Sequence, residues 1–443
     1  MPALLHLIFD LDDTLVSTSH LKDIREKRLS SELEKVLPHL EPYEGLLPAL
    51  HSLQGEVSLS VVTRSPGWYA RQILERCFPG IRWDAVVTYE DVEQHKPYPD
   101  ALKLAMQTVG ATEPSQVAYV GDNRDDLEAA YHAGVRPVLA TWGSTSGVPD
   151  RLPPEAILNN PTALRHFPTS YILYLHALEA HLAAEEFGRE WKELDHVQPT
   201  EIFVSLPTQV KQMRVGVLGR YFAKQGLTLA LHDRHTLSQQ IERKKNPGVF
   251  PIEDSWVYAI AAVLEHMRVK YGADLVTVIP AKAGRDPRLE RLLDAYDKSS
   301  NHPFAKLDSA SDLLAFSDDA QTVKWAAKSD RYEMVKKAIQ AKNGQRVAGK
   351  RVVLLDDVLT SGSTLLAAKE TLLEAGADEV YPIALARNIS DYSFEVNPEE
   401  HKQCPKCGRS MVIRKNRITG NKFWGCTGYP NNCKHTEDIQ IAC

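Results

Sequence analysis

The amino-acid sequence contains no long apolar run, few cysteines outside one short segment and little net charge. No apolar stretch approaches the ~18 residues that a membrane-spanning helix requires. The formal net charge is -6, which is too small to indicate a class of partner. Of the six cysteines, Cys77 and Cys443 stand apart, and the others lie within 404–433. This arrangement is a poor disulfide framework and a good metal-binding pattern.

The N-terminal apolar run 4–9 is followed at once by Asp10, Asp12 and Asp13. Acidic residues at this point predict a buried strand rather than a secretory signal peptide. We therefore expect a cytoplasmic protein with no membrane partner. Basic residues concentrate in 401–443, where eight lysines or arginines accompany Glu437 and Asp438. This local excess predicts a phosphate-rich partner for the C-terminal segment.

At 443 residues the chain is too long for one ordinary core, and its composition is that of a globular protein. The predicted fold class is α/β: two doubly wound parallel-sheet domains joined by a helix, followed by a four-cysteine zinc ribbon. The predicted segments are a first α/β domain at 1–165, a helical connector at 166–205, a second α/β domain at 206–390, a polar linker at 391–402 and the ribbon at 403–438.

Short apolar runs predict strands at 5–9, 59–62, 85–87 and 117–120, with helices at 66–78 and 100–110. Apolar residues at three- and four-residue steps predict one amphipathic helix over 169–193. After this helix we expect strands at 202–205, 275–279 and 351–355, and helices at 256–271 and 364–375.

Four polar motifs follow elements of the first domain in a fixed order. Asp10 and Asp12 follow the first strand, Thr63 ends a second strand, and Lys96 precedes a helix. Asp122 and Asp126 follow a later strand. A carboxylate can attack phosphorus when a divalent cation and a lysine offset the charge repulsion, and Mg²⁺ suits such oxygen ligands. Alternatively, these acids only form turns and helix caps.

These four motifs resemble the haloacid dehalogenase superfamily. The resemblance implies that Asp10 is the nucleophile, that Asp12 is the general acid and base, and that Thr63 and Lys96 hold the phosphoryl group. It also implies a Mg²⁺ site, predicted at Asp10, Asp12, Asp122 and Asp126. An acid at position 12 favours a phosphatase over a dehalogenase. The short insertion at about 17–41 implies a small cap and an open site that admits large phosphorylated substrates.

A second motif combines a strand, the acidic pair Asp356 and Asp357, and a loop of small and hydroxylated residues before a helix. Such a loop directs backbone N–H groups at the positive end of a helix, which favours a monophosphate, while the two acids suit ribose hydroxyls. It lacks the Gly-Lys-Ser/Thr element of a Walker loop. An ordinary helix entry is the alternative interpretation.

This motif resembles the phosphoribosyl pyrophosphate (PRPP) motif of type I phosphoribosyltransferases, and Leu218–Phe222 faintly resembles competence-protein-F-like members. The resemblance implies ribose contacts from Asp356 and Asp357. It implies 5′-phosphate contacts from Thr360, Ser361, Gly362, Ser363 and Thr364. Lys282 and Arg285 are candidates for a pyrophosphate loop. The segment 307–345 would be a mobile loop, with Lys324, Lys328 and Arg331 as contributors. The same fold also serves as a PRPP sensor without catalysis, which stays open.

The cysteines at 404, 407, 426 and 433 form two knuckles that suit tetrahedral Zn²⁺, whereas disulfides are the alternative. The segment resembles the C-terminal zinc ribbons of bacterial topoisomerase I. That resemblance implies binding of single-stranded DNA or RNA, and the candidate contacts are Phe423, Trp424, Tyr429, Arg414 and Lys415. Alternatively, the aromatic residues pack the ribbon and the basic residues keep it soluble.

The combined prediction is a bifunctional enzyme of nucleotide or phosphoribosyl metabolism. One domain would act on PRPP or a ribose 5-phosphate derivative, the other would remove a phosphate from a phosphorylated small molecule, and the ribbon would bind nucleic acid. The fusion suggests a role in bacterial stress response. Two alternatives remain: a phosphatase with a PRPP-sensing domain, and a phosphatase that processes nucleic-acid ends.

Overall fold

The computed structural model describes residues 4–143, 147–184, 188–190, 192, 194, 198–205, 212–244, 252–317, 328–396, 403–409, 411–415, 422–426, 428–429 and 433–438. The chain divides into two compact units. The first comprises Met1–Leu175, Gln225–Leu227 and Ser390–Cys443, and the second comprises His176–Lys224 and Thr228–Ile389. Within the described part of the chain, no helix is both long and apolar enough to cross a membrane.

A six-stranded, fully parallel sheet forms the centre of the first unit. Its strands are β1 (His6–Phe9), β2 (Ser58–Val62), β3 (Ala85–Val87), β4 (Val117–Gly121), β5 (Arg136–Ala140) and β6 (Ala156–Leu158). They lie in the order β3-β2-β1-β4-β5-β6. The strands read as nearly continuous apolar runs because helices cover both faces of a parallel sheet.

The helices of this unit are α1 (Lys22–Glu26), α2 (Ser30–Val36), α3 (Leu46–Leu53), α4 (Gly67–Cys77), α5 (Asp100–Thr108) and α6 (Arg124–Ala133). Helix α6 begins with a capping box in which Asn123 and Asp126 exchange side-chain and backbone hydrogen bonds. It ends at Gly134, which has a φ of 74°. Because this capping starts α6 directly after β4, Asp122 lies just before the helix and Asp126 lies in its first turn.

The predicted small cap at 17–41 contains α1 and α2, and β1 is joined to these helices by residues 10–21. Short helices of five and seven residues are marginal alone, so their position depends on packing against the sheet domain. Leu33 is the buried residue of α2, and Leu21, which directly precedes α1, is also buried, whereas most other cap side chains are exposed or half-buried.

The second unit contains a mixed sheet in the order β11-β10-β14-β15-β8-β7, with β9 also paired to β15. The strands are β7 (Thr200–Ser205), β8 (Gln212–Val217), β9 (Arg220–Phe222), β10 (Leu275–Val278), β11 (Asp308–Ser309), β14 (Arg351–Leu359) and β15 (Glu379–Ile389). The prediction of a fully parallel sheet in this domain is wrong, because β7 pairs with β8 in the antiparallel direction. The strand predicted at 351–355 continues to Leu359, since its second half pairs with β15.

The helices of the second unit are α7 (Ala177–Ala183), α8 (Leu229–Arg234), α9 (Thr236–Lys244), α10 (Asp254–Tyr271), α11 (Arg288–Lys298), α12 (Lys328–Ala338) and α13 (Ser363–Glu374). The segment predicted as a mobile loop at 307–345 includes β11, α12 and an antiparallel pair formed by β12 (Leu314–Phe316) and β13 (Ile339–Ala341). Much of that segment is therefore regular structure, which its mixed charge pattern did not indicate.

The single helix predicted over 169–193 is wrong. Tyr171–Tyr174 form a short 3-10 turn, and Leu175 is extended with ψ at 162°. Leu175 forms an antiparallel bridge with Ala156 of β6, and a separate helix, α7, begins at Ala177. Pairing of the backbone at Leu175 thus outweighs the helical periodicity of the surrounding apolar residues.

The C-terminal segment forms a three-stranded antiparallel sheet of β16 (Met411–Lys415), β17 (Lys422–Cys426) and β18 (Thr436–Asp438). Its small core consists of Met411, Trp424 and the cysteines at 404, 426 and 433. So few apolar side chains cannot stabilise an independent fold, and such modules generally depend on a bound metal.

Candidate functional site

The first candidate site lies where the strand order of the six-stranded sheet reverses. The neighbouring strands β1 and β4 lead into Asp10 and Asp122, and β2 leads into Thr63. Such a reversal opens a crevice at the carboxyl edge of the sheet, where open α/β sheets bind ligands. The topology therefore brings together motifs that are more than 100 residues apart in the chain.

Lys96 forms the centre of a buried charge cluster in this crevice. Its ammonium donates to Oδ1 of Asp10 at 2.7 Å, to Oδ1 of Asp126 at 2.6 Å and to the hydroxyl of Tyr119 at 2.9 Å. The Tyr119 hydroxyl also contacts Oδ1 of Asp126 at 3.1 Å. All four side chains are buried, so each charge depends on the others for compensation.

The electrostatics of this cluster favour an additional cation. Burial raises the pKa of Asp10 well above its usual range; Lys96 opposes this shift, and the carboxylates of Asp126 and Asp12 add to it. Burial alone would lower the pKa of Lys96, but its attraction to Asp10 and Asp126 outweighs this and raises it. One lysine therefore does not fully offset the carboxylates that surround it.

Oxygen atoms of Asp10, Asp122 and Asp126 lie within 4.8 Å of one another, which fits the hard oxygen ligands that Mg²⁺ prefers. Asp122 also accepts a hydrogen bond from the Asn123 side chain at 3.2 Å, which fixes its orientation. Asp12 is not a member of this group, although the sequence placed it among the Mg²⁺ ligands. The described structure thus provides three of the four predicted carboxylates at one candidate metal position.

Asp12 instead accepts hydrogen bonds from side chains of the cap and of the loop after β2. Its Oδ1 is contacted by Nη1 of Arg25 at 2.9 Å and by the hydroxyls of Thr18 at 2.7 Å and Tyr69 at 3.1 Å. Its Oδ2 accepts from Ser65 and, at 3.4 Å, from Thr63. These donors hold the Asp12 carboxylate beside the crevice that Asp10 enters.

Sequence reasoning did not predict several residues of this site. Arg25, Ser65, Tyr69 and Tyr119 follow no short motif, because their roles arise from packing between separate elements. Asp13 is a further case: it has a φ of 60° and accepts a hydrogen bond from the backbone N–H of Thr18 at 2.9 Å. Its carboxylate therefore fixes the start of the cap.

A cavity of about 860 Å³ opens in front of the Asp10 cluster. Besides the acids at 10, 12, 13, 26 and 122, its lining includes basic side chains from the cap and from the loops after β2 and β3. These are Lys22, Arg25, Arg28, Arg64 and Lys96. A polar cavity with this many cations is suited to an anionic ligand larger than a phosphate ion.

The second candidate site lies at the carboxyl end of β14. Asp356 and Asp357 are the sixth and seventh residues of that strand, and Gly362 starts α13 with a φ of 76°. The hydroxyls of Ser361 and Ser363 lie 3.1 Å apart, so the loop between strand and helix is tightly closed. Thr360 and Thr364 lie in the same turn, at the positive end of α13.

Arg387 of β15 supports this loop and was not predicted from the sequence. It is buried, and its Nη1 donates to the carbonyl oxygens of Leu359 at 2.9 Å and Thr360 at 2.5 Å. Both carbonyl oxygens therefore have a charged donor within the protein. Backbone N–H groups at the start of a helix, together with hydroxyls, are the groups that bind an anion in phosphate-binding turns.

The candidate pyrophosphate loop between β10 and α11 is a tight turn. The N–H of Arg285 donates to the carbonyl oxygen of Lys282 at 2.9 Å, and Gly284 has a φ of 71°. Both basic residues are exposed, and the ammonium of Lys282 lies 5.4 Å from the ring centroid of Phe316. Lys324 and the side chains of Lys328 and Arg331 lie outside the described residues.

The third candidate site is the cysteine cluster. The sulfur atoms of Cys404 and Cys433 lie 3.6 Å apart, and those of Cys407 and Cys426 lie 3.4 Å apart. A disulfide requires about 2.05 Å, whereas four sulfurs around a tetrahedral Zn²⁺ lie about 3.8 Å apart. All four are within 4.8 Å of one another, so the residues fit a Zn²⁺ ion and not a pair of disulfides.

The structure separates the candidate nucleic-acid contacts of this segment. Trp424 is only 7% exposed and packs against Met411 and the cysteines, so its prediction as a base-stacking residue is wrong. Phe423 is half-buried, and Tyr429 is 51% exposed. The side chains of Arg414 and Lys415 lie outside the described residues. Trp424 is buried because this small segment has few other apolar side chains that could form its core.

Three family models match successive parts of the chain. The haloacid dehalogenase-like hydrolase model matches residues 21–140, and the phosphoribosyl transferase domain model matches 312–405. The topoisomerase DNA binding C4 zinc finger model matches 401–441. The chain therefore carries three successive segments, each of which is similar to one of these families. The three segments follow one another in the order predicted from the motifs, which confirms the family resemblances identified in the sequence.

Curated relatives are similar to part of this chain. A phosphoglycolate phosphatase of Pseudomonas putida is 31% identical over 159 residues, which cover 35% of this chain and 55% of the relative. One of Escherichia coli is 29% identical over 140 residues, which cover 31% and 54%. The chain thus spans about half the length of these curated relatives.

Solved structures also align with part of the chain. A haloacid dehalogenase superfamily hydrolase of Geobacter sulfurreducens covers 37% of this chain and 98% of its own, with 18% identity and a TM-score of 0.31. One of Ehrlichia chaffeensis covers 39% and 99%, with 20% identity and a TM-score of 0.30.

Proposed function

We propose that the first unit is a Mg²⁺-dependent phosphomonoester hydrolase that reacts through a phosphorylated Asp10. The supporting observation is the buried cluster of Asp10, Asp122, Asp126 and Lys96 at the strand-order reversal, open to a polar cavity that several lysines and arginines line. Metal-binding carboxylates, a nucleophilic carboxylate and a charge-compensating lysine are the groups that phosphoryl transfer requires. The phosphoglycolate phosphatase relatives agree with this reaction class.

In the first step, a carboxylate oxygen of Asp10 forms a bond to phosphorus and the bond to the leaving oxygen breaks. Asp12 gives its proton to that oxygen. In the second step, Asp12 takes a proton from water while the water oxygen bonds to phosphorus and the Asp10–phosphorus bond breaks. Bound Mg²⁺ would supply Lewis-acid neutralisation of the phosphoryl oxygens. Lys96 and Thr63 would hold the group by hydrogen bonds.

The substrate is proposed to be a small phosphorylated compound with a further anionic group. The cavity of about 860 Å³ exceeds the needs of a phosphate ion, and cap cations such as Lys22 and Arg28 line it away from the buried cluster. Charged lining groups favour a substrate that neutralises them on binding. Candidates include phosphorylated hydroxy acids and sugar phosphates.

Release of inorganic phosphate from a panel of phosphorylated acids, sugars and nucleotides tests this proposal. Wild-type protein should turn over at least one panel member with Mg²⁺ and none with a chelator present. Asp10→Asn should abolish turnover, since an amide cannot form the acyl phosphate. Asp23→Asn, which alters an exposed cap aspartate paired with Lys27, is the matched control and should retain it. Turnover by the Asp10→Asn protein would overturn the proposed nucleophile.

For the second unit we propose binding of PRPP or a ribose 5-phosphate derivative, with transfer at ribose C1. The turn at 360–364, where Arg387 donates to the carbonyl oxygen of Thr360, supports binding of the 5′-phosphate. Release of pyrophosphate on mixing with PRPP, Mg²⁺ and a panel of acceptors tests transfer. Asp356→Asn combined with Asp357→Asn should abolish release. Binding without release by the wild-type protein would favour the sensor alternative.

For the C-terminal segment we propose one structural Zn²⁺ and contact with single-stranded nucleic acid. The four sulfurs support the metal, and the exposed ring of Tyr429 supports stacking on a base. Removal of residues 403–443 should weaken oligonucleotide binding while turnover of small substrates persists. If removal lowers phosphate release from oligonucleotide ends alone, the end-processing alternative is favoured over a metabolic role.

A further inference from the structure

Arg288, the first residue of α11, forms an ion pair with Asp357 of the candidate PRPP motif. The contact joins Nη2 of Arg288 to Oδ2 of Asp357. The two side chains are 29% and 17% exposed, so both lie at the edge of the site rather than in the core. Neither the motif at 351–364 nor the loop at 278–285 includes Arg288, which the sequence interpretation therefore omitted.

This ion pair engages the same carboxylate that would accept hydrogen bonds from the ribose hydroxyls. Oδ1 of Asp357 accepts a hydrogen bond from the backbone N–H of Val358 at 2.6 Å. Oδ2 faces the guanidinium of Arg288. A ribose hydroxyl that donates to Oδ2 must therefore take the place of a charged donor. Alone, that exchange is unfavourable, because a charge-assisted hydrogen bond is stronger than a neutral one.

A guanidinium displaced from Asp357 loses its direct ion pair, although other carboxylates remain near it. Partial burial lowers the pKa of Arg288, and the carboxylates of Asp356, Asp286, Glu242 and Glu290 oppose this shift. A diphosphate on ribose C1 would offer oxygen atoms to which a guanidinium binds in a bidentate manner. A ribose phosphate without that diphosphate offers no such replacement. The ligands would thus differ in how well they compensate the loss of the ion pair.

We propose that Arg288 is a specificity-determining residue that exchanges Asp357 for the diphosphate of the ligand. In the free protein it covers the ribose-binding carboxylate. When PRPP binds, the ribose hydroxyls donate to Asp357 and the guanidinium binds the diphosphate. Ribose 5-phosphate displaces Arg288 from Asp357 without offering a diphosphate in its place, so the site discriminates in favour of PRPP. This inference rests on the proposed binding of PRPP by the second unit.

The test is isothermal titration of the full-length protein with PRPP and with ribose 5-phosphate, each with Mg²⁺. Arg288→Met removes the charge at similar length. It should weaken PRPP binding about tenfold or more, the loss expected for one charge-assisted contact. Ribose 5-phosphate should bind the variant as well as or more tightly than it binds the wild type, because its competitor for Asp357 is gone.

Two further variants separate the proposal from a loss of structure. Arg291→Met removes a cation of the same helix that pairs with Asp286 at 2.5 Å, and it should change neither affinity more than about threefold. Arg288→Lys keeps the charge without the planar fork, so its PRPP affinity should lie between those of wild type and Arg288→Met.

Equal weakening of both ligands in Arg288→Met would overturn the proposal, since that result means the ion pair only shapes Asp357. Unchanged PRPP affinity would overturn it as well. If the wild-type protein binds neither ligand at millimolar concentration, the proposed PRPP site fails, and the role of Arg288 fails with it. If the wild type binds both ligands but Arg288→Met does not weaken PRPP binding selectively, only the proposed exchange is rejected, and the PRPP site itself stands.

Discussion

Arg25 of the cap lies 2.9 Å from Oδ1 of Asp12, the residue proposed to carry the proton. Its guanidinium also donates to the hydroxyl of Ser65 at 3.3 Å, so it joins the cap to the loop after β2. An oxygen that accepts three hydrogen bonds has little room for a substrate. At least one of these hydrogen bonds must therefore break before Asp12 can donate a proton to the leaving oxygen.

Arg25→Met should lower kcat/KM of phosphate release about tenfold, equivalent to about 1.4 kcal/mol of transition-state stabilisation. The reason is that Asp12 loses a donor that orients it. The Mg²⁺ concentration for half-maximal activity should not change, because Arg25 does not contact the group of Asp10, Asp122 and Asp126. Lys35→Met, which alters an exposed lysine of α2 that lies 2.7 Å from Glu32 and does not line the cavity, is the control. Similar losses in both variants would contradict a specific role of Arg25.

Lys96→Met should abolish turnover and lower the thermal midpoint of the first unit. The substitution leaves Asp10 and Asp126 buried without a cation, which costs about 3–5 kcal/mol. Mg²⁺ should raise the midpoint of the variant more than that of the wild type, because the metal then supplies the missing charge. Differential scanning fluorimetry with and without Mg²⁺ measures this. Lys103→Met, at an exposed position of α5, should behave as wild type.

The buried pair of Glu179 and Arg220 should make the second unit sensitive to acid. Burial would raise the pKa of Glu179, but Arg220 and His235 outweigh it and lower the pKa well below the ordinary 4.5. Because the folded-state pKa is depressed, the pair's stabilisation is fully present above about pH 4.5 and is lost as the pH falls below it. Hydrogen exchange of α7 and β9 between pH 3 and 6 measures the loss.

Glu179→Gln should remove much of this acid dependence and destabilise the second unit by about 3–5 kcal/mol at neutral pH, because Arg220 remains buried without a counter-charge. Glu265→Gln is the control. Its partner Arg268 is 41% exposed, and exposed pairs contribute little. An unchanged exchange profile in Glu179→Gln would show that the pair does not stabilise this region.

Trp424 and Tyr429 should respond differently to substitution by alanine. Trp424→Ala should reduce bound zinc, because its ring packs against the cysteine cluster. Tyr429→Ala should keep about one zinc per chain and weaken binding of single-stranded oligonucleotides by about 1–3 kcal/mol, the usual worth of one stacked base. Elemental analysis and fluorescence anisotropy measure the two quantities. Loss of zinc in Tyr429→Ala would show that the Tyr429 ring stabilises the ribbon fold rather than binding a base.

Glu128 should fix the segment that leads to the zinc ribbon. Its buried carboxylate accepts backbone hydrogen bonds from Glu395 at 2.7 Å and Val396 at 2.8 Å. Glu128→Ala should leave these N–H groups without their acceptor, at about 1–3 kcal/mol each. Faster amide exchange at residues 393–396 would report the release. Glu75→Gln, at an exposed position of α4, should leave that exchange unchanged.

The sequence predicted the local elements and the chemistry-bearing residues at strand ends. Strands and their following acids, as at Asp10 and Asp356, are determined by neighbouring residues, so a short segment contains the necessary information. The helix expected over 169–193 failed because Leu175 pairs with β6, a partner outside the window. The strand at 202–205 was expected and is part of β7, but its antiparallel pairing with β8 was not, because apolar periodicity contains no information about strand direction.

The amino-acid sequence by itself determined that this chain joins two α/β domains to a cysteine ribbon, because each motif that indicates them is a short run of residues. Only the tertiary structure decided which side chains act on them: Arg25 at Asp12, Tyr119 at Lys96, Arg387 behind the loop at 360–364, and Arg288 on Asp357. It also decided that Trp424 packs the core while Tyr429 stays exposed. The physical reason is that charge pairing and burial depend on distances through space, which residue spacing along the chain does not contain.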